Sequence, residues 1–223
     1  MDSKIYFIIS YKEAGYHCHK IKVNPLGVDL EKFSPKKPKQ NSDLLCIAFV
    51  GQLSIQKGIP HLLQAWKELN PSTAQLVLAG IVPANEKGVI SPLLSGSKNV
   101  EWRGHETNVS QLLHSCDVLV LPSAQDGFGL VVLEAFASGL PVLISDRVGA
   151  RDCVVHGKNG WVFCFDSHDS LKAHLDWLIK HPDETRGMRE IALQTAQNYT
   201  WEKYGERFVS LINDSSEKNK ACV

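Results

Sequence analysis

Short apolar runs alternate with helical patterns along most of this chain, and this alternation is the feature that most narrows its possible folds. The apolar runs have the length and the flanking turn residues of buried strands. They lie at residues 44–50, 75–79, 99–103, 117–121, 141–145 and 161–164, with the sixth expected at an edge. Strands that alternate with helices form a parallel sheet covered by helices. The pattern therefore predicts an α/β fold, a doubly wound Rossmann-like parallel sheet.

Helical patterns fill the segments between these runs and the last part of the chain. The segment 60–69, for example, places Leu62, Leu63, Trp66 and Leu69 at helical spacing. Further helices are predicted at residues 109–115, 128–138, 167–180, 182–199 and 201–213, and 82–95 is a weak helix or a loop. Two polar stretches, 36–42 and 214–223, are predicted to be a linker and a disordered tail.

Charge and cysteine content argue against several classes of function. The chain has 223 residues and carries 24 Lys and Arg against 24 Asp and Glu, so its formal net charge of zero gives no overall attraction to nucleic acid. Its six cysteines include no Cys-x-x-Cys pair. This argues against a zinc site and favours reduced thiols in a cytoplasmic protein. The apolar run at residues 5–9 is far too short to span a bilayer.

The segment 126–141 contains the strongest functional signal. A predicted strand ends before it at Pro122, and a predicted helix begins near Phe128, so Gly127 to Gly129 form a strand-to-helix turn. Free backbone N–H groups at a helix start attract an anion, and glycine lets the backbone approach a phosphate closely. The segment therefore predicts an anion site at the amino terminus of this helix.

Two carboxylates flank this turn. Asp126 precedes the helix, and Glu134 is the only ionisable side chain between Gly127 and Val142. An isolated carboxylate among apolar residues would be costly to desolvate unless a polar group meets it. A ligand that carries hydroxyls next to its phosphate would satisfy both side chains. The alternative is a buried helix with a glycine start and one tolerated Glu.

This segment resembles the Glu-x7-Glu motif of retaining glycosyltransferases of the GT-B fold, especially glycosyltransferase family 4, with Asp126 in place of the first Glu. Residues 23–29 with 33–35 are similar to the interdomain crossover of that family, and 49–58 resemble its first strand and phosphate loop. Residues 149–152 and 157–162 resemble its last characteristic stretch. The resemblance covers about residues 20 to 212, with the motifs in the order of the family.

The resemblance implies roles for individual residues. Glu134 would contact the ribose hydroxyls of a nucleotide sugar, and Asp126 would contact the donor sugar. Lys57 and the helix amino terminus would stabilise the charge that develops on the departing diphosphate. The implied donor-binding set is Gly51, Gln52, Lys57, Arg103, His105, Gly127, Phe128, Gly129, Leu130 and Glu134, with Asp126, Glu134 and Lys57 in catalytic roles. Enzymes of this family generally need neither a metal nor another cofactor.

Most of these residues follow predicted strands, so they are expected at one rim of the sheet. Some have simpler alternatives. Lys57 would by default be a solvated loop lysine, and His105 is at least as readily a surface turn. Arg151 and Asp152 fit an ordinary salt-bridged turn equally well. Many members of the family carry Arg where this chain has Gln52, which weakens the expected neutralisation of a diphosphate.

The resemblance also implies a domain organisation. Residues 1–43 would be a remnant of the acceptor domain with crossover and linker, 44–213 the nucleotide-sugar-binding domain, and 214–223 the tail. The expected reaction transfers a hexose from a nucleoside diphosphate sugar, such as a UDP-sugar, to an unknown sugar or lipid-linked acceptor with retention of configuration. It would serve polysaccharide biosynthesis in the cytoplasm or at the periphery of a membrane. A separate acceptor-binding domain or subunit is expected, and the chain alone should transfer poorly.

Two other readings of the resemblance stay open: a non-catalytic nucleotide-sugar-binding subunit or module, and an epimerase of the GT-B fold. A phosphorylase is disfavoured because the chain shows no context for a pyridoxal-phosphate lysine. A nicotinamide dehydrogenase is disfavoured because no Gly-x-Gly-x-x-Gly follows the first predicted strand.

Overall fold

Six parallel strands form one sheet at the centre of the fold. The computed structural model describes Gly15, residues 21–35 and residues 44–213, and the backbone of residues 214–220. The strands are β1 (Leu45–Val50), β2 (Ala74–Ala79), β3 (Val100–Trp102), β4 (Val118–Leu121), β5 (Val142–Ser145) and β6 (Gly160–Phe163). Each predicted strand is confirmed within one residue at both ends, and β6 lies at an edge as expected.

The order of the strands is β3-β2-β1-β4-β5-β6, and all neighbours are parallel. The chain winds outward from β1 to β3, returns to β4 beside β1, and winds outward again to β6. The direction of winding therefore reverses between β1 and β4. Sheets of this type bind ligands beyond the carboxyl ends of their strands at such a reversal. The predicted fold class is confirmed, and the reversal locates the rim where a ligand is expected.

Helices cover both faces of this sheet. In the described residues they are α1 (Leu30–Phe33), α2 (Ile59–Leu69), α3 (Lys87–Ser95), α4 (Val109–Ser115), α5 (Leu130–Ala137), α6 (His168–Lys180), α7 (Pro182–Gly187), α8 (Arg189–Ala196) and α9 (Trp201–Lys220). Short 3-10 turns occur at Ala84–Glu86 and Gly149–Cys153. Both β4 and β5 are buried along their whole length, which explains why they read as unbroken apolar runs.

The single helix predicted at residues 182–199 is wrong, because the structure has two helices, α7 and α8, with a break at Met188. The alanines Ala192 and Ala196 are fully buried, and α8 packs against α5. The chain therefore turns at Met188 so that α8 can follow α5. Tertiary packing, which a local pattern does not contain, decides this break.

The predicted end of the last helix at residue 213 is too early, since α9 continues to Lys220. Disorder was expected for 214–223 from polar composition, and this is wrong for the backbone of residues 214–220. Once a helix is nucleated, each further residue adds a hydrogen bond at little cost, so polar residues extend it readily. Residues 221–223 lie outside the described residues.

The segment 21–35 lies along the start of α9. The backbone N–H of Val28 donates to the carbonyl of Tyr199 at 2.8 Å, and Arg207 donates to Asn24 Oδ1 at 3.0 Å. A Cβ at Gly27 would lie 2.6 Å from the backbone of Trp201, so the two segments are in close contact. The predicted linker at 36–42 lies outside the described residues.

An apolar row on α9 is open to solvent. Trp201 is 46% exposed and Phe208 is 49% exposed, and the ring of Tyr204 between them meets Trp201 edge-on and stacks on Phe208. The apolar run at residues 5–9 lies outside the described residues. None of the described helices is long and apolar enough to cross a membrane.

Candidate functional site

The two helices that begin at the reversal of the sheet start differently from their neighbours. Here α2 begins after Gly58 (φ +73°) and α5 after Gly129 (φ +81°), and no side chain among the described residues caps either start. Farther out, α4 and α6 are capped by the side chains of Asn108 and Ser167. The first backbone N–H groups of α5 are thus free of a side-chain acceptor, which suits an external anion.

Gly129 is required at the start of α5 for two reasons. Its positive φ is a conformation that other residues rarely adopt, and a Cβ there would lie 2.9 Å from Val148 Cγ1 and 3.1 Å from Leu121 Cδ2. Gly127, by contrast, would meet nothing within 4 Å, so the space in front of the turn is open. The turn is therefore packed on its inner side and accessible on its outer side.

The loops after β1 and β4 touch through their backbones. The N–H of Ala124 donates to the carbonyl of Gln56 at 2.8 Å, and a Cβ at Gly58 would collide with the carbonyl of Pro122. The glycine thus permits a close approach that brings the two loops together. The side chain of Lys57, which lies between Gln56 and Gly58, is carried to the loop after β4.

Lys57 and Asp126 form an ion pair at this junction. Lys57 Nζ donates to Asp126 Oδ2 at 2.6 Å, with the side chains 27% and 12% exposed. Asp126 is also fixed by its backbone, since its N–H donates to Arg147 and its carbonyl accepts from Gly149. The sequence placed both residues at the rim, but it did not predict that they pair.

Glu134 lies closer to the start of α5 than expected. The helix begins at Leu130 rather than at 128, so Glu134 is about one turn, roughly 6 Å, along it instead of two. Its side chain is partly buried, and no residue described in 21–35 or 44–213 hydrogen-bonds its carboxylate. Burial raises the pKa of Glu134 above its ordinary 4.5, and the charge of Lys32 on α1 opposes that increase.

Lys32 is a residue that sequence reasoning missed. It lies in residues 1–43, the part assigned to the acceptor-domain remnant, crossover and linker. Helix α5 begins 98 positions later, so no local pattern links Lys32 to Glu134. Helix α1 packs against α5, and the side chains of His114 and Ser138 donate to the Phe33 carbonyl and hold it there. The position of this cation is a product of tertiary packing.

A groove of about 290 Å³ opens beside the loop after β1. Its lining is mainly apolar and consists of Val50, Gly51, Gln52, Ala79, Gly80, Ile81, His105, Glu106 and Val109. Three predicted site residues, Gly51, Gln52 and His105, are therefore brought together. Glu106 was missed, although it directly follows His105 in the same loop. The volume is near the lower limit of small-molecule sites, about 300 Å³.

Arg103 is not part of this groove. Its Nε donates to Glu101 Oε1 at 2.7 Å, and that hydrogen bond raises the pKa of the guanidinium. Arg103 lines a separate groove of about 380 Å³ with residues of α4. Residues two apart on a strand share a face, so Arg103 lies on the same side as Glu101 rather than pointing over the rim. The structure thus places Arg103 in a neighbouring groove, which shares Glu106 with the first one, and its role in donor binding stays a prediction.

The loop after β5 is held by its own contacts. Arg151 donates to the carbonyl of Asp146, and Asp146 Oδ1 accepts from the N–H of Phe165 at 3.0 Å. These contacts join the loops after β5 and β6 and give Arg151 a place in the turn at Gly149–Cys153. Within the described residues, no cluster of three or more His, Cys, Asp or Glu could hold a metal ion.

Comparison with known families adds an independent observation. The model of the family described as glycosyl transferases group 1 matches residues 31–195, which include the whole sheet and all the site residues above. The chain belongs to glycosyl transferases group 1. Its rim, with an uncapped helix, a lysine and two carboxylates, is therefore the rim of a glycosyltransferase domain.

Relatives of this glycosyltransferase domain are longer than the chain. A D-inositol 3-phosphate glycosyltransferase from Corynebacterium urealyticum is 28% identical over 89% of the chain and 53% of its own length. An uncharacterized glycosyltransferase from Methanocaldococcus jannaschii is 34% identical over 71% of the chain and 40% of its own length. The chain thus spans about half the length of the curated relatives it matches.

Solved structures share the fold. HepE from Anabaena, crystallised in complex with UDP, superposes with a TM-score of 0.79 at 21% identity over 93% of this chain and 61% of its own. The C-terminal domain of a group 1 glycosyl transferase, LpcC from Francisella tularensis, superposes with a TM-score of 0.69 at 20% identity over 77% of this chain and 97% of its own. The fold described above is therefore that of GT-B glycosyltransferase domains.

Proposed function

We propose that residues 44–213 bind a nucleoside diphosphate sugar and transfer its hexose with retention of configuration, as in glycosyltransferase family 4. The observation that carries the proposal is the convergence at one rim of three features: the uncapped start of α5, the cation of Lys57, and a carboxylate, Glu134, without a hydrogen-bond partner in the described residues. A ligand with a diphosphate next to hydroxyl groups satisfies all three.

The diphosphate belongs at the start of α5. The amides around Phe128, Gly129 and Leu130 offer N–H groups, and the positive end of the helix dipole favours an anion there. Lys57 adds a point charge. An ammonium has three N–H donors, so Lys57 can keep its contact with Asp126 while it donates to a phosphate oxygen.

The base and the ribose of the nucleoside are assigned to two places next to this anion site. The groove lined by Gln52 and His105 is mainly apolar and suits a nucleobase, and Glu134, one turn along α5, suits the ribose hydroxyls. UDP is the first candidate for the nucleotide, because HepE was crystallised with UDP and with UDP-glucose. The relative named as a capsular polysaccharide biosynthesis glycosyltransferase, CapM of Staphylococcus aureus, favours an acceptor in a growing polysaccharide.

In the transfer step the bond between the anomeric carbon and the diphosphate oxygen breaks, and its electron pair leaves with the diphosphate. An acceptor hydroxyl forms the new bond to that carbon from the same face and gives its proton to the oxygen of the leaving diphosphate. Lys57 and the amides of α5 stabilise the negative charge on the leaving group. Asp126 would hold hydroxyls of the sugar that is transferred. The acceptor would bind to a second domain, since this chain corresponds to about half of its relatives.

Calorimetric titration of the chain with UDP tests the proposal. Glu134→Gln removes the charge with little change of shape, and it should weaken UDP binding about tenfold, as expected for the loss of a hydrogen bond to a charged group. Glu190→Gln, an exposed glutamate on α8, is the matched control and should bind as the native chain does.

A second titration separates the roles of the two residues. Uridine keeps the ribose but lacks the diphosphate, so Glu134→Gln should weaken uridine and UDP alike. Lys57→Gln should weaken UDP and leave uridine unchanged. UDP binding that is unaffected by Glu134→Gln would remove the role assigned to this carboxylate.

A further inference from the structure

Two cysteines lie in contact at the amino-terminal edge of the sheet, far from the rim in topology. Cys46 is the second residue of β1, and Cys116 lies between the end of α4 and Asp117, two residues before β4 begins. Their sulfur atoms are 3.1 Å apart, which is about 1 Å longer than the roughly 2.05 Å of a disulfide bond. The two thiols are thus already in a position from which a small movement would join them.

The surrounding backbone holds this arrangement. Strands β1 and β4 are neighbours in parallel register, with Ile47 opposite Val118. The N–H of Asp117 donates to the carbonyl of Cys46 at 2.8 Å, and the N–H of Cys46 donates to Asp117 Oδ2 at 2.8 Å. These bonds link the residue next to Cys116 directly to Cys46, so the thiols meet because of strand pairing and not because of flexible side chains.

Access and charge also favour reaction at this pair. Cys46 is partly exposed, whereas Cys116 is buried. Ser115 lines the 380 Å³ groove, and its Oγ lies 3.8 Å from Cys116 Sγ. Arg103 lines the same groove as Ser115, so the approach to the thiols carries a guanidinium.

The other described cysteines differ from this pair. Cys153 is buried, and burial raises the pKa of its thiol to about 11, with Tyr199 as a hydrogen-bond partner. Cys164 is exposed and is not in contact with another described cysteine. Cys46 and Cys116 therefore combine contact between their sulfur atoms with partial exposure in a way that the other two do not.

We propose that Cys46 and Cys116 form a reversible intramolecular disulfide when the protein meets hydrogen peroxide, and that this bond staples the amino-terminal edge of the sheet. The Cys46 thiolate attacks one peroxide oxygen, forms a sulfenic acid and releases hydroxide, which takes up a proton to become water. The Cys116 thiolate then attacks the sulfenic sulfur and displaces a second water after protonation. The two sulfurs lose two electrons, and the peroxide is reduced to two waters.

The staple should stabilise the fold and leave the donor site unchanged. It closes a loop between residues 70 positions apart, which restricts the unfolded chain. The thermal midpoint of the full chain should therefore rise by roughly 5 to 10 °C on oxidation and return with a dithiol reductant. UDP affinity should stay the same, because the bond joins the ends of β1 and β4 opposite to the rim.

Mass spectrometry of the full chain after brief treatment with hydrogen peroxide and alkylation of the remaining thiols tests the inference. The expected product has lost two hydrogen atoms and yields a peptide pair that joins Cys46 to Cys116. Cys46→Ser should abolish both the cross-link and the rise in midpoint. Cys164→Ser is the matched control and should keep both.

Three results would overturn the inference. One is a cross-link through any other cysteine or between two chains. Another is oxidation of Cys46 to a sulfinic acid without a cross-link. The third is a midpoint that does not change when the cross-link forms. A shift of UDP affinity on oxidation would contradict the separation of the staple from the rim, and failure of UDP to bind at all would leave the cross-link result unaffected.

Discussion

Two carboxylates at opposite ends of the parallel sheet, Asp117 and Glu134, differ in their partners. At the amino end, Asp117 is 1% exposed, receives Arg186 Nε at 3.2 Å and accepts the N–H of Cys46 at 2.8 Å. Beyond the carboxyl end, Glu134 has no hydrogen-bond partner in the described segments 21–35 and 44–213, and burial raises its pKa. The chain itself provides partners for Asp117, whereas Glu134 keeps a carboxylate that a ligand could contact.

Helix starts show the same contrast between the centre of the rim and its flanks. The helices that follow the central strands, α2 and α5, begin at the left-handed residues Gly58 and Gly129 without a side-chain cap in the described residues. The helices α4 and α6 start beside the outer strands and are capped by Asn108 and Ser167. Helices α3, α7 and α8 also begin without a side-chain cap, but none of them begins after a left-handed glycine. The starts with a left-handed glycine thus lie where the winding of the sheet reverses, which is where ligands bind in this architecture.

The largest effect should come from the amino end. Asp117→Ala removes the buried carboxylate that pairs with Arg186 and that accepts the N–H of Cys46. We expect the free energy of unfolding to fall by about 3 kcal/mol in urea denaturation, as for other broken buried pairs. Asp183→Asn is the matched control, since the carboxylate of Asp183 contacts the same arginine but is 90% exposed.

UDP titration of the folded Asp117→Ala protein checks the other half of this contrast. The affinity should equal that of the native chain, because no described contact of Asp117 reaches the rim. A loss of stability below about 0.5 kcal/mol, on the scale of ordinary surface substitutions, would instead mean that the contacts of Asp117 do not hold the fold together.

The next effect should come from the turn before α5. Gly129→Ala forces a side chain into a left-handed residue and against Val148 and Leu121, and we expect a loss of about 1–2 kcal/mol in unfolding free energy. UDP affinity should also fall, because the amides of α5 shift. Gly127→Ala is the control in the same turn, and its Cβ would meet nothing within 4 Å. Equal losses in the two variants would show that the turn is not packed as described.

A smaller effect should appear in the dependence of stability on pH. Because the pKa of Glu134 is raised above 4.5 in the folded state, the folded chain binds this proton more tightly than the unfolded chain. This contribution therefore falls as the pH rises from 4.5 through the raised pKa, and it is constant above that. Glu134→Gln should lack this component.

Urea denaturation of the native chain and of Glu134→Gln from about pH 4 to about pH 8 measures this difference. The range starts near the ordinary pKa of a carboxyl group and extends over the values to which burial raises it. The variant should gain stability relative to the native chain as the pH rises. Parallel curves over the whole range would show that Glu134 is satisfied in the folded state, and the contrast with Asp117 would then fail.

The smallest expected effect should come from an added positive side chain at position 52. Gln52→Arg adds a positive charge to the groove beside Gly51, where many members of the family already carry Arg. UDP affinity should rise a few-fold, about 1 kcal/mol or less, with little change in stability. Lys67→Arg on α2, which keeps the charge and lies outside this groove, is the control for altered side-chain bulk. Binding that does not depend on Gln52→Arg would place the diphosphate away from this loop.

The strands could be predicted from the sequence because strands that are buried on both faces contain mostly apolar residues. All residues of β4 and β5 are buried, so each strand is an unbroken apolar run between turn residues. The wrong predictions concern features that a local sequence pattern does not determine. The break at Met188 follows from the packing of α8 on α5, and the extension of α9 to Lys220 follows from helix propagation through polar residues.

The candidate site was predictable in position but only partly in contacts. Gly51, Gln52 and His105 meet as expected because each follows a strand end. Arg103 follows a strand end as well, yet its side chain turns onto Glu101, since the pleat of β3 and not the chain order sets its direction. Pairing between side chains depends on neighbours that the sequence does not order in space.

From the sequence alone followed the strands, the glycine turn and the two acidic residues that flank it, because burial pattern and backbone freedom are local properties. Tertiary structure alone decided which of these groups have partners: it paired Asp126 with Lys57, brought Lys32 near Glu134, and set Cys46 against Cys116. The physical reason is that electrostatic and hydrogen-bond energies depend on distances between residues far apart in the chain. Those distances exist only once the sheet has assembled.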